Sequence, residues 1–392
     1  MSGRGPGSAT SASVAPSGIR AIADLAWRTP GALQLQIGEP SAPTPPHVVE
    51  AMTAALRDGA TRYGPTAGLP LFREAAVEKL RRVNGLDASP DDVTVCAGGV
   101  EGLGAVYRAL LDAGDEVLVP DPGWPNLVGL ALLVDARPVR YPLLRDGRVE
   151  LEPAVLEALR TPRTRVLVLN SPSNPTGGGL DADQLEPVLA WAAEHGVVVV
   201  SDECYDEMWL DAPQPCTAAV AAAMAAAGRP VPVVVSVFSL SKTHAMTGFR
   251  LGYVLAPAEL TPLVRRVQET QLSCVATPTQ WAGAAALTGP QDHVAAMRAE
   301  YRDRRDRCVA VLAGRPELVL AAPPVGAFYL WLRYAADVHS GTLAVDLLRD
   351  HGVALAPGTA FGPAGEGHLR ISLATATDVL LEGLDRVLVA LR

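Results

Sequence analysis

Short, continuously apolar runs bounded by turn residues alternate with longer stretches of helical periodicity along most of this chain. The runs are Val93–Cys96, Val117–Pro120, Val166–Asn170, Val197–Ser201, Val233–Val237 and Leu251–Leu255. They are too short for typical helices, rich in β-branched residues, and lack the in-and-out alternation of a half-exposed strand. Strands buried on both faces of a mostly parallel sheet read this way. Between them, Leu71–Val83, Gly102–Leu111 and Gln184–His195 carry helical spacing. The alternation predicts an α/β fold, a mostly parallel central sheet with helices on both faces. Ligands of such sheets gather at the carboxyl ends of strands, so the residues just past each run are the ones to inspect.

The C-terminal third follows a different rhythm and predicts a smaller α+β domain. A long charged helix around Ala295–Leu312 precedes short apolar runs at Leu318–Leu320, Ala327–Leu332, Val353–Leu355 and Leu369–Leu373. A last helix places Leu380, Leu384, Val387, Leu388 and Leu391 on one face, with Thr377 as its expected N-cap. Residues 1–17 are rich in Gly, Ser and Ala and are expected to form a disordered leader. The Ala-rich stretch Thr217–Gly228 reads as a surface helix, and no internal repeat is present.

Composition narrows the class. At 392 residues two domains are the natural expectation, and 49% hydrophobic residues are ample for a large core. The net charge of -9 supplies no basic excess for nucleic acid or an anionic membrane. The leader has no apolar core of a signal peptide, and no apolar run is long enough to span a bilayer. Five widely spaced cysteines without a CxxC pair suit reduced thiols better than disulfides or zinc. A cytoplasmic protein is expected, with no metal site.

Candidate chemistry lies just past the apolar runs. In Ser239-Leu-Ser-Lys242-Thr-His-Ala-Met-Thr-Gly-Phe-Arg250, a lysine stands in a Ser-rich turn beyond a strand, with an arginine eight residues on. A lysine in a dry pocket can form a Schiff base with an aldehyde, while serine and arginine suit a phosphate. The plainer reading is a surface-loop lysine. Asp202 ends another run, with Tyr205 three residues later. A carboxylate there can hold a pyridine nitrogen protonated, or it can simply cap a helix. Asn174 lies in Asn-Pro-Thr-Gly, a turn sequence that could also present a donor. Gly98-Gly99-Val100, between a strand and a helix, would let backbone N–H groups approach a phosphate, although a Gly-Gly turn is a weak signal alone.

Taken in order, these segments resemble the class I aminotransferases of the fold-type-I pyridoxal-phosphate enzymes, and most closely their bacterial aspartate-aminotransferase-like branch. The resemblance runs from about Gly18 to the C-terminus and includes Leu35-Gln-Ile-Gly38-Glu-Pro40. It implies pyridoxal 5'-phosphate as cofactor, with Lys242 as Schiff-base lysine and proton shuttle. Asp202 would pair with the pyridinium nitrogen, Asn174 and Tyr205 with the phenolic oxygen, and Trp124 would stack on the ring. The phosphate would fall to Gly99, Val100, Ser239, Arg250 and Tyr63, the last reaching in from the partner of a homodimer. Arg370 would grip the substrate α-carboxylate beside the backbone of Gly38, in a pocket that Asn174 and Trp124 also line. An arm, residues 18–45, would join the small domain at 289–392, leaving 46–288 as the large cofactor domain.

Two positions depart from the family pattern. Val100 stands where a hydroxyl residue is usual, which removes one phosphate hydrogen bond. His244 replaces an aromatic and is expected to pack rather than react. The implied activity is ping-pong transfer of the α-amino group of an amino acid to a 2-oxo acid. A lyase, cyclase or oxidase working through the same carbanion is the alternative, set apart only by side-chain pocket residues.

Overall fold

The computed structural model describes residues 7–392. All six apolar runs become strands: β1 (Val93–Cys96), β2 (Glu116–Asp121), β4 (Thr164–Asn170), β5 (Val198–Asp202), β6 (Val234–Ser239) and β7 (Gly252–Leu255). A seventh, β3 (Arg137–Pro142), joins them, and the spatial order is β1-β7-β6-β5-β4-β2-β3. Only β7 runs against its neighbours, so the sheet is mixed and mostly parallel.

The central strands show why their sequences do not alternate in polarity. Val117, Val119, Val166, Val168 and Val200 pack into a core on one face of the sheet. Leu118, Leu167, Leu169 and Val199 pack into a second core on the other. Helices Gly99–Leu110 and Ala182–Glu194 cover opposite faces, since Val106 belongs to the first core and Leu185 to the second. Burial of each such Val or Leu contributes roughly 1.5–3 kcal/mol.

The parallel pairing brings several strand ends to one edge. Asn170 lies opposite Asp202, Ser239 opposite Gly252, and Gly252 opposite Cys96. Because β7 is reversed, its first residues, preceded by Arg250, arrive at the same edge where the others leave.

The smaller sheet is antiparallel. It comprises β8 (Leu318–Leu320), β9 (Tyr329–Tyr334), β10 (Ala356–Pro357) and β11 (His368–Ser372), in the order β8-β9-β11-β10. Helix Asp292–Leu312 leads into it, and helices Ser340–His351 and Thr377–Ala390 pack on it. The last helix buries Leu380, Leu384, Val387 and Leu388 as its periodicity required, whereas Leu391 is only half-buried at its end. Thr377 is not the N-cap. Ala376 occupies that position, and the Thr377 hydroxyl accepts a hydrogen bond from Arg304 Nε at 3.3 Å.

The N-terminal segment ties the two sheets together. Leu33–Gln34 pairs in parallel with Val353–Ala354 of the small domain, and Ser372 N donates to Leu35 O at 2.8 Å. Three residues later the chain reaches Gly38, at the edge of the large sheet. The leader departs from the disorder expected of it over its described part. Ala9–Ser13 is a short helix capped by Ser8, and Thr10 Oγ1 donates to Asp135 Oδ1 at 2.8 Å. Residues 1–6 lie outside the described residues. Among the described residues, no helix is long and apolar enough to cross a membrane.

Candidate active site

A cavity of about 570 Å³ opens where the edge of the large sheet meets the small domain. It is lined by Lys242, Asp202, Tyr205, Asn174, Trp124, Gly99, Val100, Ser239, Arg250, Arg370 and Gly38. Eleven residues from seven separate segments of sequence therefore converge on one space. Tyr63 is the exception. It is 91% exposed on the outer surface and does not line the cavity of its own chain.

Lys242 sits on a single helical turn, Leu240–Thr243, that follows β6 directly. Ser239 caps this turn by accepting the Ser241 N–H at 3.2 Å. The turn holds Lys242 half-buried, and its Nζ donates to Gly38 O at 2.7 Å. Gly38 cannot carry a side chain, because a Cβ there would lie 2.0 Å from Tyr329 Oη.

Asp202 closes β5 and is 4% exposed. It does not cap a helix; among the described residues its Oδ1 accepts only the Cys204 N–H, at 3.2 Å. Burial pushes its carboxyl up to about 7, against a downward pull from that N–H and from the Lys242 charge. A buried carboxylate so sparsely partnered is matched to a cationic N–H donor.

Arg370, on β11, is 2% exposed. It donates to Asn174 Oδ1 at 2.8 Å and to Gln36 O, and its guanidinium lies 4.2 Å from the Tyr329 ring centre and 4.9 Å from that of Phe361. Burial lowers its pKa, opposed by Tyr329 and Tyr205. Its Nε is buried without a partner among the described residues, and Nη1 and Nη2 each keep a second N–H.

Asn174 and Tyr205 both have partners within the protein. Asn174 holds Arg370, while Tyr205 Oη lies 2.8 Å from Tyr329 Oη. Burial, first of all, raises the Tyr205 hydroxyl well above its ordinary range. Tyr329 is thus a site residue that the sequence reading passed over. It stood inside an apolar run that announced a strand without saying which side chains faced the cavity. Cys204, Asn126 and Asn170 line the cavity too and were equally silent.

The remaining groups form a cradle at the N-terminus of helix Gly99–Leu110. Gly98 has φ +84, and a Cβ on it would sit 2.4 Å from Arg250 Nη2. Arg250, itself left-handed at φ +51, donates from Nη1 to Thr247 O at 2.7 Å and so stays beside the helix N-terminus. Positive guanidinium, helix N–H groups and the Ser239 region together suit a dianionic phosphate. His244 behaves as packing: it is 2% exposed, and its Nδ1 lies 3.1 Å from His293 Nε2. Burial, with His293 and Lys79 nearby, lowers its pKa well below the usual value.

This sheet order, with a lysine turn after β6 and a carboxylate at the end of β5, defines a fold-type-I enzyme. Comparison with known proteins agrees. Residues 30–388 match the family described as Aminotransferase class I and II. An aspartate aminotransferase of Pyrococcus abyssi is 36% identical over 97% of this chain and 96% of its own. Aromatic-amino-acid aminotransferase 2 of Thermococcus litoralis is 34% identical over 95% of each. The structure titled aspartate aminotransferase from Thermus thermophilus with maleate superposes with a TM-score of 0.89 at 34% identity, covering 98% of this chain and 99% of that one. The chain belongs to the class I and II aminotransferases, enzymes that transfer amino groups.

Proposed function

We propose that this aminotransferase holds pyridoxal 5'-phosphate on Lys242 and moves the α-amino group of an amino acid to a 2-oxo acid in two half-reactions. The observation that carries this reading is the convergence of Lys242, Asp202, Arg250 and Arg370 on one cavity, each with a matching need. Asp202 forms no ion pair among the described residues, Arg370 Nε is buried without a partner among them, and a Cβ on Gly98 would strike Arg250. Those residues fit the cofactor.

When bound, the cofactor supplies an aldehyde for the amine and a pyridinium ring that takes up the charge left by the departing α-proton. Asp202 keeps a proton at the ring nitrogen. Gly99 and Val100 N–H groups, Ser239 and Arg250 bind the phosphate, with Tyr63 of the partner subunit completing it. Trp124 flanks the ring. Asn174 and Tyr205 face the phenolic oxygen, Tyr205 through a hydroxyl that Tyr329 already steadies. Arg370 takes the α-carboxylate and so fixes the α-carbon, whose proton Lys242 Nζ removes from the donor amino acid in one half-reaction and supplies to the α-carbon of the acceptor in the other. A ping-pong sequence follows, because the enzyme carries the amino group between the two substrates.

The five cysteines, all free, support a cytoplasmic setting, where thiols stay reduced. Exposure of Tyr63 on the outside of its own chain supports a homodimer. The test is a panel of amino acids added singly, without oxo acid, to the purified protein. One that converts the cofactor to its amino form stoichiometrically, with reversal by an oxo acid, establishes transamination. Continued turnover without any oxo acid would instead establish elimination or oxidation.

A further inference from the structure

Behind the edge of the large sheet lies a buried ionic cluster that the reaction described above leaves unused. Lys79 ends helix Pro70–Lys79, and its side chain is 4% exposed. It is ion-paired with Asp206, 7% exposed, and stands 3.8 Å from Glu207 Oε1. The helix runs on into a π turn, Leu80–Asn84, whose i→i+5 pattern swings Asn84 round to Lys79. Asn84 Oδ1 accepts from Lys79 Nζ at 2.9 Å and Asn84 Nδ2 donates to Asp206 Oδ2 at 3.0 Å, which closes a ring of three partners. Lys79 Nζ also lies 4.9 Å from the centre of the Phe238 ring, and that ring stacks on Tyr253 at 4.8 Å.

Each of these contacts ends close to a group of the site. Asp206 directly follows Tyr205 in the turn that begins at Asp202. Phe238 directly precedes Ser239, and Tyr253, its partner across the strands, follows Arg250 by three residues. Burial opposes the charge on Lys79, but Asp206, Tyr253 and Glu207 outweigh it and raise its pKa. A pair this deeply buried gains little net stability over apolar residues of the same shape. Fixed geometry is what it adds.

We propose that Lys79 is a positioning residue: its ion pair with Asp206 and its seat on Phe238 hold Asp202, Tyr205 and Ser239 in place for the cofactor. The proposal rests on the reading of the site given above. Lys79→Met alone strands Asp206 as a buried charge and could unfold the chain. The informative variant is therefore Lys79→Met/Asp206→Leu, which removes both charges of the ion pair and leaves Glu207, whose pKa burial already raises, to take up a proton, with Asp206→Asn measured beside it. Cofactor-free proteins are titrated with pyridoxal 5'-phosphate by tryptophan fluorescence. Melting temperature, the pH midpoint of the visible band, kcat and KM are recorded for each.

The double variant should melt within a few degrees of wild type yet bind the cofactor on the order of 10- to 100-fold more weakly, as loss of an outer-shell support does elsewhere. Its pH midpoint should shift and kcat should fall, with KM for the amino acid little changed. Asp206→Asn should weaken cofactor binding in the same direction. Wild-type affinity and an unmoved pH midpoint in both variants would overturn the proposal alone. Failure of the wild-type protein to bind the cofactor would overturn the reading of the site, and this proposal with it.

Discussion

Burial holds the Asp202 carboxyl at about 7, against 3.8 for a free aspartate, so folding without the cofactor takes up a proton there. The sign follows from the raised value. Stability contributed by this group is fully present below 3.8 and is lost as pH rises through about 7. Between those limits it changes by at most about 1.36 kcal/mol per pH unit. Urea unfolding of cofactor-free protein at pH 5 and 8 should show a smaller loss for Asp202→Asn than for wild type; equal slopes would remove Asp202 as the source. On the proposed reading, the same substitution breaks a buried charge pair in the loaded enzyme. At about 3–5 kcal/mol for such a loss, kcat should fall roughly 10²- to 10⁴-fold. Arg370→Lys replaces a planar fork with a point charge and should raise KM for amino acid and oxo acid alike. An unchanged KM would place the α-carboxylate elsewhere. Lys242, Asp202 and Arg250 stand beside strand ends, where turn residues interrupt apolar runs, whereas Arg370 lies inside β11 and was singled out only by the family resemblance. Tyr329 was hidden for the opposite reason: its run is continuously apolar, and nothing in it marks which side chain faces the cavity.

At the scale of elements, the turn between β1 and helix Gly99–Leu110 decides how closely an anion can approach. Gly98→Ala forces a side chain into a left-handed backbone and onto the Arg250 guanidinium. Backbone strain costs about 1–2 kcal/mol of stability, while displacement of the Arg250 guanidinium should weaken cofactor binding. Gly99→Ala meets Ser239 Cβ at 3.6 Å, an ordinary contact, and should bind nearly as wild type. Equal affinities in a direct titration of the two variants would contradict this account of the cradle. The sheet itself was legible wherever strands are buried on both faces. β3 was not. Its sequence Arg-Pro-Val-Arg-Tyr-Pro has two prolines and no apolar run, and only an edge strand with one neighbour tolerates that. The reversed direction of β7 was equally invisible, since a buried strand reads the same either way. Thr377 shows a further limit: helix periodicity fixes the face, while the terminal residue depends on contacts such as that from Arg304.

At the scale of the whole molecule, the site joins three parts of the chain: the large sheet, the small domain carrying Arg370, and the segment carrying Gly38. Tyr63 lies apart from all of them on its own chain, which leads to a prediction about assembly. Lys242→Ala and Tyr63→Ala proteins, each weak or inactive, should regain activity when mixed and allowed to exchange subunits. A hybrid dimer with a two-fold interface has one intact site of two, so equal mixing should restore about a quarter of wild-type activity. Activity no greater than the parents' sum, despite proven exchange, would confine Tyr63 to its own subunit. The most direct test of the central claim is chemical. Protein loaded with pyridoxal 5'-phosphate is reduced with borohydride, digested, and its peptides are weighed. The account predicts one modified lysine, Lys242, and loss of both the label and the visible band in Lys242→Ala. A label on any other lysine, or none on wild-type protein, would contradict it.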